Sequence, residues 1–132
     1  MSWKTKEEAL FEHIKERYIA DLKWSDSDYS HYDCYSSEKS CEIELKCRNT
    51  HYDELVIEKL KYDKLMERAV DYNTIAVYIC QTPKGIFAFN LSVMDEPDWI
   101  VKGMPKTSHF SQRQFIDKVV GFLDVNDAKY YE

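Results

Sequence analysis

Cys41-Glu42-Ile43-Glu44-Leu45-Lys46-Cys47-Arg48 alternates without a break, apolar at odd positions and charged at even ones. Successive side chains of a β-strand point to opposite faces, so the stretch reads as a strand with one face on a core and the other open to solvent. On its N-terminal side, Ser37-Glu38-Lys39-Ser40 fits a hairpin turn and residues from about His31 to Ser36 fit a short partner strand. Further upstream, Leu10, Phe11, Ile14, Tyr18 and Leu22 recur at helical spacing over residues 5–22, and Thr5 with Glu8 makes a capping box.

On the C-terminal side the spacing predicts a second helix at about residues 53–70. Leu55, Tyr62, Leu65, Met66 and Ala69 form its main apolar stripe, and Val56, Ile57 and Leu60 a smaller one suited to core or to a homodimer interface. Thr74 to Cys80 is a continuous apolar run rich in β-branched residues, as in a strand buried on both faces. Thr82-Pro83-Lys84-Gly85 is a turn, and Ile86 to Leu91 its hairpin partner. Residues 112–123 fit a helix or a short strand equally well, and residues 126–131 a closing helical turn. This order of elements is an α/β arrangement, one mixed sheet flanked by helices. The 132 residues suit a single domain.

Composition narrows the classes. No apolar run approaches the roughly 18–20 residues of a membrane span, and the N-terminal residues lack the apolar core of a signal peptide, so the expectation is a soluble, cytoplasmic chain with no membrane partner. Cys34, Cys41, Cys47 and Cys80 contain no Cys-x-x-Cys pair. A zinc site built from His31, Cys34, Cys41, Cys47 and His51 is weakened by geometry. Along one strand Cys41 and Cys47 stand about 20 Å apart at roughly 3.3 Å per residue, too far for one tetrahedral ion. Buried or half-buried thiols are expected.

The formal net charge of −6 argues against nucleic acid until its distribution is considered. Residues 24–44 hold Asp26, Asp28, Asp33, Glu38, Glu42 and Glu44 against Lys39 alone, a net of −5. Such an excess is a solvated loop, a divalent-cation site, or a surface for a basic protein. Spacing separates these. If the two strands pair through the 37–40 turn, Asp33 approaches Glu44, and two facing carboxylates call for a cation between them. Alternate strand positions lie about 6.6 Å apart, so Lys46 shares their space.

Asp33, ten residues, then Glu44-Leu45-Lys46 on an amphipathic strand bracketed by helices resembles the PD-(D/E)XK nuclease superfamily. The resemblance covers about residues 5–91 and is greatest to small phage-type nucleases, with the same core found in Holliday-junction resolvases. Tyr32 stands where the motif's name has proline, and Glu58-x-x-x-Tyr62 where some relatives carry Gln-x-x-x-Tyr. The resemblance implies a restriction-endonuclease-like αβββαβ core with a C-terminal extension over about residues 92–132. It also implies a Mg²⁺- or Mn²⁺-dependent hydrolysis of DNA, without a nucleotide cofactor. Asp33, Glu44 and the backbone carbonyl of Leu45 would ligate the metal and Lys46 would serve the attacking water. A further glutamate would come from the first helix, where Glu7 lies on the stripe facing the sheet. Arg48, Lys61 and Lys106 are the candidate DNA contacts. The alternative is a non-catalytic, phage-type interaction factor on the same fold, using the acidic 24–44 segment as its surface.

Overall fold

The computed structural model describes residues 5–25, 32–105 and 115–132. The chain is mixed α/β. Helix α1 (Lys6–Arg17) is followed by strands β1 (Lys23–Trp24), β2 (Asp33–Ser36), β3 (Cys41–Cys47) and β4 (Glu54–Glu58). Helix α2 (Lys59–Tyr72), β5 (Ile75–Thr82), β6 (Gly85–Asn90), β7 (Ile100–Pro105), β8 (Phe115–Asp124), a 3₁₀ turn η1 (Val125–Asp127) and β9 (Lys129–Tyr131) complete it. No helix among the described residues is long and apolar enough to cross a membrane.

A six-stranded mixed sheet has the order β1-β2-β3-β5-β6-β9. Strands β1, β2 and β3 form an antiparallel meander, β5 lies parallel to β3, and β6 turns back antiparallel. The parallel step requires a crossover, and α2 supplies it. Gly85 closes the β5–β6 hairpin at φ 136°, a conformation that suits glycine, while the Tyr130 hydroxyl donates to the Lys84 carbonyl at 2.9 Å.

One face of this sheet packs on α1. Leu10, Phe11 and Ile14 meet Ile43, Leu45, Ile79 and Ile86, and Trp24 stacks on Phe11 at 4.1 Å between ring centroids. The Thr5 hydroxyl caps α1 by accepting from the Glu8 N–H at 3.1 Å. The opposite face carries Ala76, Tyr78, Cys80, Phe87 and Phe89, covered by Tyr62, Leu65 and Ala69 of α2 and by Leu55, Ile57 and Leu123. Full burial of a side chain such as Phe89 removes about 1.5–3 kcal/mol of apolar exposure from the folded state.

Four expectations need correction. The stretch 54–58 is a strand and α2 begins at Lys59, because Leu55 and Ile57 pack inward in strand alternation. The second apolar stripe therefore dissolves: Ile57 is core and Leu60 is exposed. The described residues form two sheets, since β4, β8 and β7 pair antiparallel as a separate three-stranded one. Of the two readings for residues 112–123 the strand holds, over Phe115–Asp124, while the closing helical turn is instead a short 3₁₀ turn followed by β9, which pairs with β6, so the C-terminal third is woven into both sheets. Finally, the charged face of β3 is not open. Glu42 and Glu44 are each only 5% exposed, beneath α2.

Candidate metal and catalytic centre

The hairpin turn at residues 37–40 sets the register of β2 on β3, and that register places Asp33 directly opposite Glu44. Directly opposed residues on one face bring their Cβ atoms within about 5 Å. The two carboxylates therefore face each other under α2. Burial first, and then Asp33, holds the Glu44 carboxyl well above the usual carboxylate range. Oε1 of Glu44 pairs with the Lys61 ammonium at 3.5 Å, while its buried Oε2 has no hydrogen-bond partner.

Helix α2 supplies a second cation that the sequence reading missed. The Arg68 guanidinium reaches Asp33 Oδ2 at 3.2 Å with one nitrogen and Glu42 Oε1 at 3.1 Å with the other. Arg68 lies seven residues, two helical turns, beyond Lys61, so the two share a face. That spacing on a lysine-rich helix above an acidic strand was the available signal. Burial raises the Glu42 carboxyl, and Arg68 opposes the rise.

Lys46 follows Glu44 on the same face and lines a narrow cleft of about 100 Å³ together with Glu7, Glu44, Arg48, Glu58 and Lys61. Burial and then the Arg48 charge lower the Lys46 ammonium, against the pull of Glu7, Glu58 and Glu44. Glu7 enters from α1 on the other side of the sheet. Strand pairing on that edge ends where the Leu45 N–H donates to the Tyr32 carbonyl at 3.0 Å. One step on, the Cys47 N–H donates to Glu7 Oε2 at 3.1 Å. The helix carboxylate takes the place of a strand partner. Glu58 is held by Lys118 of β8 at 3.2 Å, another contact no local pattern announces.

Glu44, Lys46 and Glu7 thus line one cleft at the carboxyl end of β3, while Asp33, opposite Glu44, lines a neighbouring hollow with Lys61, Lys64 and Arg68. The Leu45 side chain packs on the α1 side, leaving its backbone to line the cleft. Arg48 stands at the cleft wall and donates to the Val56 carbonyl at 3.3 Å. Lys61 is engaged with Glu44 rather than presented as a separate contact. Lys106 lies outside the described residues. All four thiols are free, with Cys34, Cys41 and Cys80 buried and Cys47 half-buried.

No group of three or more His, Cys, Asp and Glu side chains positioned to hold a metal occurs among the described residues. The donors that do converge are hard carboxylate oxygens, and one of them, Glu44 Oε2, is buried and unpaired beside another carboxylate. In kind, that donor set fits Mg²⁺ or Mn²⁺ and not a thiolate-seeking metal. No protein-family model, no characterised protein sequence and no solved structure matches the chain.

Proposed function

We propose that the protein is a metal-dependent nuclease that hydrolyses DNA phosphodiester bonds. The observation that carries this reading is the register-opposed pair Asp33 and Glu44, with Lys46 following Glu44 along the same face of β3. An antiparallel β1-β2-β3 meander, followed by a helical crossover to a parallel β5, supports a restriction-endonuclease-like core, with α1 and α2 on opposite faces.

Asp33, Glu44 and the Leu45 carbonyl would hold Mg²⁺ or Mn²⁺, with Glu7 as the further carboxylate. When bound, the ion supplies Lewis-acid stabilisation of the charge that develops on the phosphoryl oxygens. The remaining work falls to side chains. Lys46, beside Glu44 on the same face, would orient the attacking water and offset the charge developing on the phosphate, and the proton that water loses as its oxygen bonds to phosphorus would pass to solvent. The bond from phosphorus to the leaving oxygen breaks in line, and that oxygen takes a proton from solvent. Arg48 at the cleft wall is placed to neutralise a neighbouring phosphate.

An interaction factor using an acidic 24–44 surface is less well supported. Asp33, Glu42 and Glu44 of that segment turn inward under α2 and pair with Arg68 and Lys61. The test is cleavage of labelled single-stranded, duplex and four-way-junction DNA in Mg²⁺ or Mn²⁺. Cutting by wild type that disappears in both Lys46→Ala and Asp33→Ala is the expected result. Folded wild-type protein that cuts none of the three with metal present overturns the reading.

A further inference from the structure

The cleft does not end at Arg48. This residue also lines a larger groove of about 620 Å³ that runs over the outer face of the β4-β8-β7 sheet. Strand alternation explains what the groove presents. Leu55 and Ile57 of β4 point into the core, so Val56 points outward, directly opposite Phe122 of β8. Lys102 of β7 lies on the same face, its ammonium 5.3 Å from the centre of the Phe122 ring. Tyr52, in the segment between β3 and β4, stands at the groove 65% exposed.

We propose that a single-stranded DNA segment lies in this groove, its bases stacking on Tyr52 and Phe122 and one phosphate held by Arg48 where the groove meets the cleft. The proposal deepens the nuclease reading and rests on it for the direction of the strand towards Lys46. Three observations select this occupant. Aromatic faces gain from bases only when those bases are unpaired, since a duplex keeps them stacked inside and offers phosphates and groove edges. A duplex binder also needs many cations, and this groove is lined by two, Arg48 and Lys102, with Asp53 and Glu54 on its rim. Arg48, in turn, makes no ion pair with a carboxylate among the described residues. Its buried Nε has no hydrogen-bond partner, and its other contacts are to uncharged groups: the Val56 carbonyl, the Tyr78 hydroxyl and the Cys80 thiol. A guanidinium so placed, between a groove and a carboxylate-lined cleft, is suited to a phosphate.

Binding is measured by fluorescence anisotropy on the full chain in EDTA, with a labelled 12-nucleotide oligothymidylate and a duplex of the same length. The oligothymidylate is expected to bind at least tenfold more tightly than the duplex. Two neutralised phosphates give a shallow salt dependence, a log–log slope of about −1.4. Tyr52→Ala is expected to weaken binding roughly 5- to 150-fold, the range of one lost stacking platform, while Tyr52→Phe retains it. Lys102→Gln should make the slope shallower by about 0.7. Equal affinity for the two DNAs, or wild-type affinity in Tyr52→Ala, overturns the proposal. Cleavage in Mn²⁺ is scored separately. Tight oligothymidylate binding by a chain that never cuts removes the nuclease and leaves the groove. Cleavage by Tyr52→Ala with unchanged KM removes the groove and leaves the nuclease.

Discussion

Replacing Glu44 with glutamine isolates the charge that the centre has to manage. Glu44 is 5% exposed, faces Asp33 across the strand pair, and has one oxygen without a partner. Its folded-state pKa lies above the unfolded value of 4.5, chiefly through burial and then through Asp33. Between those two values the folded chain binds more protons than the unfolded chain, so stability falls as pH rises through that window. Glutamine removes the titration and adds an NH₂ that can donate to Asp33, with its carbonyl left for Lys61. A buried, unsatisfied polar group costs about 1–3 kcal/mol. Glu44→Gln is therefore expected to raise unfolding free energy by about 1–3 kcal/mol at pH 8.5 and to change it little near pH 4.5. The assay is urea denaturation of both proteins at pH 4.5, 7 and 8.5, read from midpoints with unchanged slopes. Metal gives the converse test. A ligand at 100 times its Kd stabilises by about 2.7 kcal/mol, and that gain from Mn²⁺ should vanish in Glu44→Gln. A variant destabilised equally at all three pH values, and still stabilised by Mn²⁺, would refute the reasoning.

Two further expectations concern what holds the centre in place. Arg68→Met removes the guanidinium that spans Asp33 and the buried Glu42. It should cost about 2–3 kcal/mol at pH 7 by urea denaturation, shrink as pH falls through the Glu42 value, which burial holds above 4.5, and be largely reversed by adding Glu42→Gln. A small, pH-independent loss would show that the bridge does not stabilise the fold. At Gly121 of β8, an added Cβ would meet the Pro97 ring at 2.8 Å and Trp99 at 3.1 Å. Gly121→Ala is expected to lower stability by about 1–3 kcal/mol and to loosen Trp99, seen as a shift in tryptophan fluorescence. An unshifted spectrum with wild-type stability would contradict that packing.

The β2–β3 hairpin and the carboxylate pair were legible because both rest on local signals. Strict alternation over 41–48 and a four-residue turn fix the register, and the register alone brings Asp33 to Glu44. Glu7 was legible for a similar reason, as one more position on an apolar helical stripe. Burial of the charged face was not. Alternation says that even positions share a face, but not what covers it, and the cover here is α2 with Lys61 and Arg68. The three-stranded sheet was hidden by Leu55-Val56-Ile57, which satisfies a helical stripe when joined to Tyr62 and Leu65. Its strand pairing depends on Leu123 and Phe122, more than sixty residues away. The Lys118–Glu58 pair is equally distant in sequence and could not be found by spacing.

Glu58 is at once the last residue of β4 and the N-cap of α2. No loop separates strand from helix there. The helix that carries Lys61 and Arg68 over the carboxylates is thus joined without slack to the sheet that forms the floor of the outer groove. The cover of the carboxylates and the floor of the groove are successive parts of one stretch of chain. A strand settling into the groove would thereby press on the same stretch that covers the carboxylates.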